Sequence, residues 1–473
     1  MAATRYKLDD YNAYLYKTTD YGDSWTVISD AFPKGEISRV VREDGVRVGL
    51  LFVGTETGVF FSVDAGDSWS RLETNLPLVP VYDLKVKGAD LIAATHGRSL
   101  WILDDISPLR SLIPADAKEG TRLLPPAPAY RRWVNWMARG PQAMAAGAKA
   151  NMLVLGAHAS FNDSEGENGE WIRTVLDGGE DRPLGAVIYY LLKEEPSQPI
   201  TLSFLNEGGE VINEYTSRPS DDADAEDEDT GEEKPTRFAP TRKGLNRFVW
   251  DMRCADAKRS VEDSPMRAKI EPIAVQKPGR TGAVVAPGRY QVQLKAGEAS
   301  SVETLEIHAD PRLDVTTKEL EAQASLCLRI RDKLSELNEA IDRLRRLQRQ
   351  AFETTTRART SATVGIESAE SISKAARDLA NKLEAVEAEL TQIDLEGSSD
   401  ALRIPVKLNG MLSGLMVSAT MGDGAPTKSM LALFEDLSSQ LHKQLSNLQA
   451  IVDGDVADFN KLVDMSELPA VSG

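Results

Sequence analysis

The chain of 473 residues contains only two cysteines and four histidines. Cys254 and Cys327 belong to no CxxC pair, which excludes a disulfide framework and a cysteine-based metal motif. No pair of histidines has HExxH spacing, and there is no phosphate-binding glycine loop, dinucleotide fingerprint or Ser–His–Asp elbow. We therefore expect no metal and no cofactor. Cys327 falls on an apolar helical face, which predicts its burial.

Long hydrophobic runs and positive charge are also scarce. No run reaches about 18 apolar residues, so no membrane span is predicted. The opening residues, MAATRYKLDDYN, lack the apolar core of a signal peptide. A net charge of −18 argues against a nucleic-acid partner. Nine of the thirteen residues 221–233 are Asp or Glu, which predicts a disordered acidic insertion at 219–236; calcium-loop spacing and its glycine are missing.

Two segments of the first hundred residues repeat each other. TTDYGDSW at 18–25 and SVDAGDSW at 62–69 share the pattern [S/T]-x-D-x-G-x-S-W and lie 44 residues apart. A degenerate third copy follows 40 residues later, where 95–104 aligns with 55–64. In the second repeat, strands are predicted at 50–54, 59–63 and 68–72, and the next begins at 81–86. Repeats of 40–45 residues with four short strands are typical of β-propeller blades.

The repeated motif, an Asp-box, is interpreted as a folding device. Asp20 and Asp64 are suited to accept backbone N–H groups within a tight turn, and Gly22 and Gly66 permit a backbone shape that other residues resist. We expect the motif's tryptophans, Trp25 and Trp69, to fill the gap between neighbouring sheets.

The remaining chain divides into a β region and a helical region. Residues 113–144 are interpreted as a linker, and short alternating strands with Gly and Pro turns predict a β-sandwich at 145–312. From 313 to 466 the apolar spacing becomes helical, which predicts a helical hairpin or bundle, followed by a tail at 467–473. Two helices carry apolar stripes, at Leu326, Ile330, Leu334, Leu337, Ile341 and Leu344, and at Leu379, Leu383, Val386, Leu390 and Ile393. A third stretch covers 404–420, and a fourth helix starts after Pro426 and includes Leu433, Leu437, Leu441, Leu445 and Leu448.

This order resembles a bacterial family of Asp-box (BNR) repeat proteins described as sortilin-like or glycosyl hydrolase-like. The segments 15–22, 54–58, 75–77 and above all THGRSLWILDD at 95–105 carry the resemblance. Segments 244–251 and 286–290 resemble the immunoglobulin-like module of flagellar hook-cap proteins, and Asp-Pro-Arg at 310–312 leads into the helical tail. The implied fold is multi-domain: a partial β-propeller at 1–112 and an Ig-like β-sandwich, followed by the α-helical hairpin or bundle.

The family members are longer and commonly secreted or periplasmic. Two or three blades do not close a propeller and leave sheet edges unpaired. The resemblance therefore implies a fragment, a chain that pairs with a separately encoded N-terminal propeller half, or a chain that self-associates.

A ligand face is expected at the end of the blades opposite the Asp-boxes, where sialidase-type propellers bind. This end would present Glu56, Asn75, His96 and Arg98, and Asp83 on an inner strand is a further candidate. Arg98 is suited to hold a carboxylate or a sugar acid, and His96 to exchange protons near neutral pH. The alternative is that 95–98 is a turn whose side chains bond the backbone.

Two functions remain open from the sequence. In the first, the chain recognises a carbohydrate, protein or peptide ligand, or acts as a scaffold. In the second, it is the C-terminal part of a glycoside hydrolase, whose two catalytic carboxylates lie on blades outside this chain. Few acidic and aromatic residues gather at the blade tops here, which favours recognition over catalysis and leaves the catalytic residues unknown.

Overall fold

A computed structural model describes residues 1–113, 120–132, 149–154, 157–165, 171–175, 182–217, 237–260, 282–361, 364–392, 403–466 and 468. The chain consists mostly of β-sheets, one of them curled into a half-barrel, and continues as a C-terminal region of five helices. The predicted acidic insertion at 219–236 lies outside the described residues, as does the tail apart from residue 468.

Three antiparallel sheets form the first 112 residues. Sheet 1 contains strands β1–β3, at Ala2–Arg5, Asp10–Lys17 and Thr26–Val27. Sheet 2 contains β4–β7, at Ser38–Glu43, Leu51–Thr55, Val59–Ser62 and Ser70–Arg71. Sheet 3 contains β8–β10, at Val81–Lys87, Asp90–Thr95 and Leu100–Leu103, and precedes a short helix α1, Ser107–Ser111. The four strands predicted for the second repeat and its successor are confirmed to within a few residues.

Sheet 2 lies between the other two and is apolar on both faces. One face, with Val53 and Phe60, packs against Leu15 of sheet 1. The other face, with Phe52, packs against Leu84 of sheet 3. Successive strand residues point to opposite faces, so an uninterrupted apolar run is what a sheet covered on both sides requires.

A glycine allows the close approach of sheets 2 and 3. A Cβ atom on Gly54 would lie 2.7 Å from the carbonyl oxygen of Val81 on β8. No side chain fits in that space, so β5 needs glycine at this position.

Two further sheets share one core. The first has the order β11-β16-β19 and the second β12-β21-β20-β17-β18. Their inner faces meet at Phe204 and Trp250, whose rings stack with centroids 4.2 Å apart. The strands are β11 at Arg122–Leu123, β12 at Ala129–Arg131, β16 at Ala186–Leu192, β17 at Thr201–Leu205, β18 at Val211–Thr216, β19 at Gly244–Trp250, β20 at Gly288–Ala296 and β21 at Ala299–Ala309.

The predicted linker at 113–144 differs from the structure in its described part. Arg122–Leu123 is β11 and pairs with β16, and Ala129–Arg131 is β12 and pairs in parallel with β21. The β region therefore starts before residue 145. These strands are two and three residues long, too short to show an alternating pattern in the sequence. A separate three-stranded sheet, β13–β15, comprises Lys149–Val154, Ala157–Glu165 and Trp171–Val175.

The helical region follows the predicted apolar spacing. Its helices are α2 to α6, at Thr317–Thr360, Ile366–Leu390, Leu408–Thr420, Lys428–Ile451 and Ala457–Met465, with a π-helical turn at Val452–Val456. Thr316 and Glu319 form a capping box that starts α2, because each side chain bonds the other's backbone N–H. The fourth predicted helix is capped by Thr427 and starts after Pro426, as predicted.

The predicted apolar residues of α2 and α3 are buried in one core, within the described residues. Cys327 is buried with them, as predicted. Leu433 on α5 is an exception, since it is exposed and Phe434 is buried in its place. Neighbouring apolar residues on a helix differ by about 100° in direction, and only the packing partner decides which of two adjacent residues faces the core. Ile393 lies outside the described residues.

Candidate functional site

The two Asp-box turns have the same hydrogen bonds. Oδ1 of Asp20 accepts the backbone N–H of Ser24 at 2.9 Å, and Oδ2 accepts the Ser24 hydroxyl at 2.6 Å. The corresponding distances from Asp64 to Ser68 are 2.9 and 2.5 Å. Positive φ angles of 105° at Gly22 and 101° at Gly66 complete each turn. Both carboxylates are thus occupied by their own turns, in agreement with a folding role.

These hydrogen bonds also shift the aspartate pKa values. The bonds from Ser24 hold the pKa of Asp20 well below its usual range. Burial raises the pKa of Asp64, but hydrogen bonds from Ser68 and Ser62 outweigh it, so the net shift is downward. A carboxyl group whose pKa is depressed on folding stabilises the fold above its unfolded pKa of about 3.9. That contribution is lost as the pH falls through the folded pKa.

We therefore expect Asp64→Asn to destabilise the protein at pH 7, by an amount that shrinks as the pH falls below about 4. The measurement is the urea midpoint of tryptophan fluorescence at a series of pH values from 7 to 3. Asp67→Asn is the matched control, since Asp67 is exposed in the same turn. An equal loss for Asp64→Asn at every pH would contradict this explanation.

The tryptophans of the two turns differ in their surroundings. Trp69 packs against Phe32, in the connection between β3 and β4, with ring centroids 5.3 Å apart, and donates its indole N–H to the carbonyl of Ile28. Trp25 is 47% exposed and donates instead to the carbonyl of Gly22 in its own turn. The expectation that both tryptophans fill a gap between sheets is therefore wrong for Trp25 within the described chain. The reason is that no described sheet covers it.

At the opposite end of the sheets, an aromatic and cationic cluster crosses all three of them. The guanidinium of Arg39 lies 4.6 Å from the ring centroid of Tyr6 and 5.0 Å from that of Tyr82. The Tyr82 ring stacks on His96 with centroids 5.0 Å apart and an interplanar angle of 21°. Arg39 also pairs with Glu56. We call these five residues the ladder.

The chain topology explains why the ladder residues meet. Tyr6, Glu56 and His96 each lie in the connection before the strand that leads to the Asp-box or its degenerate copy: β1–β2, β5–β6 and β9–β10. Arg39 and Tyr82 lie near the starts of the neighbouring strands β4 and β8. The repeats thus place equivalent turns side by side, which brings distant residues into one row.

A second carboxylate, that of Glu36, contacts the turn that carries Glu56. Thr57 donates its hydroxyl to Oε1 of Glu36 at 2.7 Å. The other oxygen of Glu36, Oε2, is buried without a hydrogen-bond partner among the described residues. Arg71 donates to the Thr57 carbonyl from the same side of the turn at 2.5 Å. An unpaired buried carboxylate oxygen costs free energy, so it marks a place where water or a ligand group would be stabilised.

The predicted site residues are only partly brought together. Glu56 and His96 belong to the ladder and are joined through Arg39 and Tyr82. Arg98 is exposed at the same turn as His96, and its backbone N–H is donated to the Thr95 hydroxyl. The alternative interpretation of 95–98, a turn whose side chains bond the backbone, is therefore correct for Thr95. The side chains of His96 and Arg98 remain exposed.

The other two candidates lie apart from the ladder. Asn75 is exposed on the connection between β7 and β8. Asp83 pairs with Arg42 of sheet 2 at 2.6 Å, so it joins two sheets. Asp83 is thus better explained as a contact between sheets.

The sequence interpretation missed Arg39, Tyr82, Tyr6 and Glu36. Only the positions of Arg39 and Tyr82 could have been noticed in the sequence, because each is the second residue of a strand that begins a repeat. Sequence spacing does not reveal that a guanidinium lies between two rings, since Tyr6 and Tyr82 are 76 positions apart.

The described residues contain no group of three His, Cys, Asp or Glu side chains placed to hold a metal ion. Both cysteines are free thiols, and burial raises the pKa of Cys254 and takes that of Cys327 to about 11. Thiols with raised pKa values are poor nucleophiles at neutral pH. Among the helices of the described chain, none is both long and apolar enough to cross a membrane.

Comparison of the chain with protein-family models, with curated proteins and with solved structures gave no match.

Proposed function

We propose that the chain is an Asp-box repeat protein of the β-propeller type, with an Ig-like sandwich and a helical region, that acts in recognition or scaffolding. The two turns with identical hydrogen bonds support the repeat assignment. The two sheets that share a core after residue 120 support the sandwich. In this proposal the three sheets at 1–112 are consecutive blades, and the sandwich and helices serve as a frame that holds them.

The observation that carries the proposal is the ladder. It lies at the end of the sheets away from the Asp-boxes, where we expect a ligand face. Arg39 is fixed by two rings and a carboxylate, so its charge is already compensated. Arg98 is exposed on the same turn as His96, and it makes no ion pair within the described part of the chain. A fixed aromatic surface next to an available guanidinium fits an acidic sugar, whose ring packs on Tyr82 or His96 and whose carboxylate pairs with Arg98.

A binding experiment tests this function. We expect an acidic glycan to bind the protein and Arg98→Ala to weaken binding at least tenfold, or about 1.4 kcal/mol, because a charge-assisted hydrogen bond is lost. Tyr82→Leu should have a similar effect through the loss of stacking. A glycan array identifies the ligand, and titration calorimetry measures the affinities. Arg289→Ala, an exposed arginine on β20, is the control.

Two results would refute the proposal: an array on which no acidic glycan binds, or equal affinities for wild type and Arg98→Ala. Preferential binding of acidic peptides in a parallel array would assign the face to a protein partner instead.

The second candidate function is glycoside hydrolysis, favoured only by Glu36. Beside the unpaired Oε2, its other oxygen accepts the hydroxyl of Thr57, the residue after Glu56, and glycosidases use two carboxylates. Turnover of aryl glycosides that disappears in Glu36→Gln would favour this candidate over recognition.

A further inference from the structure

The outer strand of sheet 3, β10, has an edge that no described strand covers. In sheets 1 and 2 a two-residue strand, β3 or β7, follows the Asp-box and pairs with the strand before it. In sheet 3 the order is β10-β9-β8, and after Asp104 the chain continues to α1 instead of turning back along β10. The third repeat lacks the glycine and the tryptophan that complete the Asp-box turn. We call the uncovered side of β10 the open edge.

The hydrogen-bond pattern of sheet 3 determines which backbone groups lie on the open edge. Thr95 donates its backbone N–H to the carbonyl of Ser99, which makes these two residues a hydrogen-bonded pair. Such pairs alternate with non-hydrogen-bonded pairs along antiparallel strands, so Leu100 and Ile102 fall in non-hydrogen-bonded pairs with β9. Their N–H and C=O groups therefore point to the open edge, where they form a template for another strand.

The side chains along the open edge are apolar in the middle and charged at both ends. Leu100 is 67% exposed and Ile102 60% exposed. Arg98 and Asp104 flank them and are also exposed. Asp104 contacts Arg182 at 3.6 Å, but both side chains are about half exposed, so this contact is weak and leaves Asp104 accessible to another cation. Natural edge strands normally contain a charge or a proline, and β10 has neither between Arg98 and Asp104.

Residues 98–104 are symmetric in chemical character about Trp101. When two copies of β10 lie antiparallel with a two-fold axis at Trp101, Leu100 of one copy faces Ile102 of the other. Both residues have outward backbone groups, so each such pair exchanges N–H···O=C bonds in both directions. At each end of the pairing, Arg98 of one copy faces Asp104 of the other. The open edge is thus complementary to itself in hydrogen bonds, apolar contacts and charge.

The charges select this register over its neighbours. A shift by one residue places outward backbone groups opposite inward ones, so the hydrogen bonds are lost. A shift by two residues keeps the hydrogen bonds but places Arg98 or Asp104 opposite an apolar residue. Any extended segment offers backbone groups, but the side chains also require an apolar centre with a cation at one end and an anion at the other. A second β10 meets all of these requirements.

We infer that two copies of this chain pair edge to edge through β10, so that their two three-stranded sheets become continuous. Leu100 and Ile102 of both copies then form one apolar strip across the joint. The pairing goes beyond the proposed function and does not depend on it, because no ligand takes part. It does occupy the guanidinium of Arg98, so the dimer and an acidic glycan compete for this residue.

Sedimentation equilibrium of the purified full chain, without glycan and over a range of concentrations, tests the pairing. We expect a dimer of twice the 51.7 kDa chain mass. Arg98→Asp and Asp104→Arg should each raise the dimer dissociation constant about tenfold or more, because like charges then meet at both ends of the pairing. The double variant, with both replacements in one chain, should restore the dimer, since the ion pairs form again in the opposite direction. Arg289→Asp, at an exposed arginine on β20, is the control and should remain dimeric.

Ile102→Pro tests the backbone bonds separately. It removes an outward N–H without changing any charge, so it should give a monomer. Circular dichroism checks that each variant is folded, and the charge-reversal variants decide the test if the proline variant is not. A wild-type chain that is monomeric at every concentration would overturn the inference. So would single charge variants that dimerise as the wild type does, or a double variant that stays monomeric.

Discussion

Arg131→Met is expected to lower the free energy of unfolding by about 3–5 kcal/mol, because it leaves a buried carboxylate without its partner. Arg131 lies on β12, and its side chain is 6% exposed. Its guanidinium pairs with Asp423, between α4 and α5, at 2.9 Å, and donates to the carbonyl of Val285 at 3.2 Å. It also donates to the side chain of Gln323 on α2.

The effect should extend beyond one ion pair. Gln323 extends this hydrogen-bond network, since its side-chain amide donates to the carbonyls of Ala419 and Gly422 at 2.8 and 2.6 Å. One strand of the β region is therefore tied to three segments of the helical region. Loss of Arg131 leaves several buried polar atoms without partners at the same time, which is costly at a low local dielectric.

Guanidinium chloride unfolding followed by circular dichroism of the helices measures this loss. Arg132→Met is the matched control, because the hydrogen bonds of the adjacent Arg132 within the described residues go to the backbone carbonyls of Arg182 and Pro183. We expect less than about 1 kcal/mol for the control. An Arg131→Met midpoint equal to that of the control would show that the network does not join the two regions energetically.

The second large effect is expected at Arg110, for which Arg110→Met should cost about 3–5 kcal/mol in the β region. Arg110 on α1 donates to both carboxylate oxygens of Asp44, at 2.9 and 2.7 Å, and the Asp44 side chain is fully buried. Burial raises the pKa of Asp44, but the bonds from Arg110 and from the backbone of Arg47 outweigh it and lower the pKa. The charged form is thus the stable one in the fold, and without Arg110 it would be buried unpaired.

Urea unfolding followed by tryptophan fluorescence reports on this pair. Arg42→Met is the control, since its ion pair with Asp83 has the same length to within 0.1 Å but is largely exposed. An exposed pair contributes about 0–1 kcal/mol, so the control should change little. Double replacement, with Asp44→Asn added to Arg110→Met, should recover part of the loss because the buried charge is gone. Equal losses for Arg42→Met and Arg110→Met would contradict the explanation by burial.

Much of the fold was predictable from local pattern. The apolar spacing of α2 and α3 predicts their buried faces, because a helix repeats every 3.6 residues whatever it packs against. Leu433 shows the limit of this reasoning, since it is exposed and the adjacent Phe434 packs in the core instead. The short strands β11 and β12 were interpreted as linker because their pairing partners lie far along the chain, and two or three residues carry no period.

The candidate site was less predictable. Glu56 and His96 were found because they occupy equivalent turns of a repeat, and the structure connects them. Arg39 and Tyr82, which make the connection, carry no motif. Asp83 was a reasonable candidate by position, but its contact with Arg42 depends on the distance between two sheets, which no spacing rule supplies.

The sequence by itself determined the Asp-box turns, because every group that Asp20 and Asp64 bind lies within four residues of them. Such short-range hydrogen bonds need no other part of the chain. The tertiary structure alone decided that Trp69 is covered and Trp25 is exposed, although the two motifs are nearly identical. Burial depends on a neighbouring sheet, and the same residues in the same turn have different surroundings when that neighbour differs.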